Sequence, residues 1–294
     1  MEAISGKAIA ITALAPIIWG STYYVTRNFL PSEYPLTGAL IRALPAGLLL
    51  LLFTRKLPRG IWWVKATLIS VLTTGGFFVL VYIAGSRLPS SIDSMVMALS
   101  PLFTMLMARA ILEEIFTVRR ILGGILSVIG VFVLIGKVQG TLDALGLLAS
   151  FVGMLISALG FILIRKWNPP VSSTEFASWQ LFLGGIMLLP IVIWREGFMP
   201  LPSLSALWGY VYIALFASVI GYICWYYGVT RLPASVVSII GLLNPLAGVL
   251  LGTFLAGETL TLTQAVGCLL ILVGIYMGTI QRGKLFVSRR VEAS

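Results

Sequence analysis

The 294-residue chain is 59% apolar or aromatic and 10% charged, whereas ordinary soluble domains carry about 25% charged residues. With a mean hydropathy of +1.03, this composition excludes a water-soluble globule and predicts a bilayer as the solvent. The net charge of +10, from 20 Lys and Arg against 10 Asp and Glu, falls between apolar runs, where basic residues set membrane orientation.

Apolar runs bounded by charge, Pro or Gly are predicted at about 8–26, 35–53, 66–86, 91–112 and 120–136. A second set follows at about 143–164, 175–194, 205–229, 234–256 and 262–280. The predicted fold is therefore an all-α integral membrane protein with ten transmembrane helices. Ala13-Leu14-Ala15 resembles a signal-peptide cleavage site, but the apolar stretch continues past it, so the first run is read as a retained span. An even number of spans puts both termini on one face. Fifteen of the 20 basic residues then lie on that face and four on the other, with Arg42 on neither, so both termini are predicted to be cytoplasmic.

Sliding the chain by 144 residues aligns Arg87-Leu88-Pro89 with Arg231-Leu232-Pro233, and Ser91, Pro101, Glu114 and Gly123 with Ser235, Pro245, Glu258 and Gly267. There are 14 identities between 87–136 and 231–280, in a register that pairs Arg, Pro, Glu and Gly as well as Leu. The expected organisation is a first five-helix repeat over 1–140, a second over 141–281, and a basic cytoplasmic tail over 282–294. Five is odd, so the second copy is expected to enter the membrane from the opposite side. Inverted halves can expose a central site to each face in turn, an arrangement common among secondary transporters.

The sequence resembles the drug/metabolite transporter superfamily, in its ten-span EamA-type branch. The resemblance is carried by Trp19-Gly20-Ser21, by Arg42, and by the twin Arg-Leu-Pro, Ser, Pro, Glu pattern at 87–114 and 231–258. It implies export of small metabolites, amino acids above all given the aromatic- and Met-rich spans, across the inner membrane of a bacterium. It implies a small-molecule substrate and the bilayer as partners, with no cofactor, metal or nucleic acid.

On the fourth span Asp93, Met97, Ser100, Pro101 and Thr104 share one helical face; the repeat equivalents are Val237, Gly241, Asn244, Pro245 and Gly248. These polar or small faces are expected to line a cavity. Pro101 and Pro245 cannot donate to the carbonyls of Met97 and Gly241, which are then free for a substrate or a kink. Phe78 and Tyr82 align with Tyr222 and Tyr226, with Trp225 adjacent, and can form an apolar wall with hydroxyls. Trp19 joins the candidates through its motif. Arg42 and Asp93 are charges within spans, expected either to pair or to receive the two ends of a zwitterion. Trp179 and Gln180 lie in the seventh span, where Gln180 matches Arg42 when Gly47 and Gly185 are aligned, so inversion symmetry is broken there. Gln180 bonding across helices is the alternative.

There is no histidine, which removes the commonest general acid or base. No Walker motif, dinucleotide fingerprint or nucleophile elbow is present, so a membrane enzyme would need an unexpected site around Asp93 and Arg42. Glu113 and Glu114 beside Arg119 and Arg120 are expected to form solvated salt bridges. Export of amphipathic drugs or other metabolites is the competing transport reading. A phosphate cargo is disfavoured, because Arg42 alone supplies a basic residue to the expected cavity. Cys224 and Cys268 lie inside apolar runs and read as packing residues.

Overall fold

The computed structural model describes residues 5–136, 143–256 and 260–279. Lys137, Glu258, the 140/141 repeat boundary and the 282–294 tail lie outside the described residues. Among the described residues, ten helices are long and apolar enough to cross a bilayer. They are α1 (Gly6–Phe29), α2 (Pro35–Thr54), α3 (Trp62–Gly85), α4 (Ser90–Ala98 with Ser100–Leu112) and α5 (Val118–Ile135), then α6 (Ala144–Trp167), α7 (Ser173–Arg195), α8 (Leu204–Arg231), α9 (Ala234–Gly241 with Leu243–Ala256) and α10 (Leu262–Thr279).

Continuous helix is what a hydrocarbon solvent demands, since each backbone N–H and C=O must be satisfied within its own span. Polar side chains set several ends. Thr117, Asp143 and Ser203 accept from the first-turn amides of α5, α6 and α8, and Ser172 with Glu175 forms a capping box on α7. Arg55, Glu113 and Asn168 end α2, α4 and α6 in the left-handed region.

The irregularities recur with the sequence repeat. A π-helical segment at Val71–Gly75 interrupts α3, and shifting it by 144 residues lands inside the π-helical segment Ile213–Ile220 of α8. α4 breaks at Leu99, whose N–H tightens onto Val96 O at 3.1 Å; α9 breaks at Leu242, whose N–H reaches Ile239 O at 3.1 Å. Each tightened turn stands just before the proline that cannot continue the α-helical ladder.

The packing also treats the halves alike. α1 packs on α8 and α9, and its counterpart α6 packs on α3 and α4; α2 packs on its own counterpart α7, and α5 on its counterpart α10. In the α5–α10 pair, a Cβ at Gly123 would stand 2.6 Å from Gly274 O, and one at Gly130 would stand 2.7 Å from Ile271 N. Ascending α5 thus meets descending α10, so the two helices run antiparallel. α2 and α7 cross the same way, with Gly47 against Leu181 and Phe182, and Gly185 against Leu44. Small residues let these backbones approach where burial from water supplies no drive. Leu52 and Phe53 are 73% and 81% exposed, which suits a surface that meets lipid.

Candidate functional site

A cavity of about 400 Å³ lies between the halves, walled by α1, α2, α3 and α4 of the first and α6, α8 and α9 of the second. The volume falls within the roughly 300–1,000 Å³ typical of small-molecule sites.

Trp19-Gly20-Ser21 fixes the α1 wall. The Trp19 indole N–H donates to Ala217 O at 2.7 Å, inside the π-helical segment of α8, and its ring tilts against Tyr222 and Trp225 at 5.7 and 5.3 Å. A Cβ at Gly20 would stand 2.6 Å from Asn244 O and from Ala247 Cβ, so only glycine admits α9 this close. Ser21 Oγ is 2.5 Å from the Tyr212 hydroxyl. Each residue of the motif therefore ties α1 to the opposite half.

The opposing faces of α4 and α9 supply Asp93, Met97, Ser100 and Thr104, and Val237, Gly241, Asn244 and Pro245. Gly241 leaves room for the indole of Trp225, which a Cβ there would meet at 3.4 Å. Pro101 is buried outside the lining, and Gly248, half-buried, also lies outside it and packs against Tyr23. The Arg42 guanidinium lies 4.9 Å from the centroid of the Phe78 ring, and Tyr222 joins them on the wall.

Three buried polar atoms on this wall have no protein partner: the donors Arg42 Nε and Trp225 Nε1 and the acceptor Asn244 Oδ1. An unsatisfied buried donor or acceptor costs about 1–3 kcal/mol. A solute carrying acceptors and a donor would satisfy all three.

Of the expected site residues, ten line the cavity: Trp19, Arg42, Phe78, Asp93, Met97, Ser100, Tyr222, Gly241, Asn244 and Pro245. Tyr82, Pro101, Trp179, Gln180 and Tyr226 do not. Trp179 donates its indole N–H to Lys56 O at 2.7 Å, and Gln180 Nε2 donates to Ala66 O at 3.3 Å, so both join α7 to its neighbours. Tyr226 is fully buried behind Tyr222, edge-on to Phe176 at 5.1 Å. Tyr82 is half-buried towards the other end of α3.

Three expectations need correcting. Arg42 and Asp93 do not pair: Asp93 accepts from Ser150 Oγ of α6 at 2.5 Å, and Arg42 stacks on an aromatic ring instead. Arg42 is not the only basic residue at the cavity, since Arg165 also lines it, donating to the carbonyl of Leu232. Glu114 is not solvated; its side chain is 12% exposed and is held by backbone amides of α9. Trp225 and Arg165 line the cavity without being among the expected site residues: Trp225 is adjacent to the aligned tyrosines, whereas Arg165 occupies an ordinary last-turn position for a cation.

Ten apolar helices around a partly polar central cavity are an arrangement suited to membrane transport. The chain belongs to the EamA-like transporter family, which it matches over residues 6–136 and again over 144–280. It is 34% identical over 278 residues to Protein PecM of Dickeya dadantii (strain 3937), a match spanning 94% of this chain and 93% of the relative. It is 32% identical over 286 residues to the uncharacterized inner membrane transporter YedA of Escherichia coli (strain K12), covering 94% and 92%. A solved crystal structure shares the fold with a TM-score of 0.80 at 20% identity, covering 94% of this chain and 98% of that one. The protein is an integral transporter of the inner membrane.

Proposed function

We propose that this transporter exports small metabolites, amino acids above all, by alternating access through the central cavity between two inverted five-helix repeats, and that it is not an enzyme. The observation that carries this reading is the set of buried unpartnered atoms on an aromatic wall. Arg42 Nε and the Trp225 N–H receive a carboxylate, Asn244 Oδ1 receives an amine, and Trp19, Phe78 and Tyr222 accept an apolar side chain. The ten lining residues named above form the binding set. Support for inversion comes from the antiparallel crossing of α2 with α7 and of α5 with α10, each a helix and its repeat counterpart. The basic excess on the face bearing the termini supports cytoplasmic ends.

The test is uptake of a panel of radiolabelled amino acids into liposomes holding the purified protein, with and without an imposed proton gradient. Saturable uptake without the gradient is the expected result and marks facilitated flux. Absence of uptake under both conditions would overturn the substrate assignment in favour of amphipathic drugs or other metabolites.

A further inference from the structure

Below the cavity, at the end of the molecule that bears the termini, α4 and α9 are joined by a buried carboxylate. Glu113 ends α4 with φ 56°, and the Glu114 N–H turns back to Ala108 O at 3.2 Å. That reversal brings the Glu114 carboxylate to the start of α9. There it accepts from Ala234 N at 3.0 Å, Ser235 N at 3.4 Å and Ser235 Oγ at 2.5 Å. The first-turn amides of a helix have no intrahelical partner and carry the positive end of its dipole, so a carboxylate is well held there. Arg120 stands 3.9 Å away with its side chain 7% exposed. Arg165, from α6, donates to the carbonyl of Leu232 two residues before α9, and itself lines the cavity.

At the other end the cavity reaches Tyr23, which is 53% exposed, whereas Ser235 is fully buried and Ala234 is 8% exposed. The α4–α9 junction is therefore shut on the side of the termini. We propose that Glu114 is the latch that keeps it so, and that a substrate from that side enters only after the carboxylate releases the first turn of α9. Arg120 neutralises the buried charge, and Arg165 braces the α8–α9 corner against the same level. The purpose of the latch rests on the transport reading above, although its existence does not.

The test measures access without a substrate. In a chain with both native cysteines replaced by Ala, Ser157→Cys places a thiol on the cavity wall, and its reaction with a membrane-impermeant maleimide is followed from each side in oriented vesicles. Glu114→Gln removes the charge, and Ser235→Ala removes one donor while sparing the carboxylate. The expected result is labelling at least about fivefold faster from the side of the termini in Glu114→Gln, and a smaller rise in the same direction in Ser235→Ala. Unchanged rates in both variants, or an equal rise from both sides, would overturn the latch. If labelling shifts as expected while no amino acid is taken up, the latch stands and the substrate reading falls.

Discussion

Trp225 places a buried indole N–H on the cavity wall with nothing in the protein to accept it. Phenylalanine keeps most of the ring and removes that donor. A single hydrogen bond contributes about 0.5–1.5 kcal/mol, so Trp225→Phe is expected to raise KM about two- to tenfold while kcat and membrane insertion stay unchanged, as read from initial uptake rates. Arg42 depends on shape as well as charge, because a planar guanidinium stacks on Phe78 whereas an ammonium is a compact, strongly hydrated point charge. Arg42→Lys is expected to cost about tenfold in kcat/KM, close to 1.4 kcal/mol; unaltered kcat/KM would remove Arg42 from the binding set. Asp93 tests coupling. Asparagine keeps an acceptor for Ser150 and loses the charge, and under facilitated flux Asp93→Asn leaves the pH response of uptake as it was. A proton dependence that disappears in this variant would assign the coupling to Asp93.

At the scale of helices, the two glycine-lined crossings bring backbones of the two halves into direct contact. A Cβ at Gly123 would meet Gly274 O at 2.6 Å and Gly278 N at 2.7 Å, atoms of a backbone that cannot swing aside. At Gly153 of α6 the nearest neighbour would be Leu80 Cβ at 3.4 Å, ordinary van der Waals contact. Overpacking costs about 1–3 kcal/mol, so Gly123→Ala is expected to lower the thermal midpoint in detergent by several degrees, with Gly153→Ala near the parent. Equal midpoints for the two would show that α5 and α10 do not meet this closely. The interruptions matter for another reason. The π-helical segments of α3 and α8 hold equivalent unpartnered hydroxyls, Thr74 and Ser218, at positions 144 residues apart. Single-turn π elements concentrate at functional sites, and Ala217 of the second one accepts the Trp19 indole.

For the molecule as a whole, the predicted quantity is orientation. With cytoplasmic termini, Arg59→Cys in the α2–α3 connection is labelled from the cytoplasmic side, and Phe198→Cys, at an 89% exposed position between α7 and α8, from the external side. Impermeant thiol labelling on intact cells and on inverted vesicles distinguishes this from the opposite insertion. Under the proposed export reading, cytoplasmic termini put the latch on the cytoplasmic side of the cavity.

Much of this architecture was legible in the sequence because the bilayer leaves few solutions. Runs of 18 or more apolar residues have to be helices, and charges flanking them fall where water is. The polar face of α4 was also readable, since Asp93, Met97, Ser100 and Thr104 recur at helical spacing and all reach the cavity. What periodicity could not supply was the fate of equivalent positions once helices far apart in the chain pack together. Arg42 lines the cavity, whereas its counterpart Gln180 bonds to Ala66 O. Tyr222 lines the wall and Tyr226, one turn deeper, is sealed behind it. The same packing turned Glu114 from an expected surface carboxylate into a buried one, held by amides 120 and 121 residues away in the chain. Spans and helix faces follow from local pattern and from the solvent, so they can be read along the chain. Which of two equivalent residues meets the cavity follows instead from how helices far apart in the chain pack against one another.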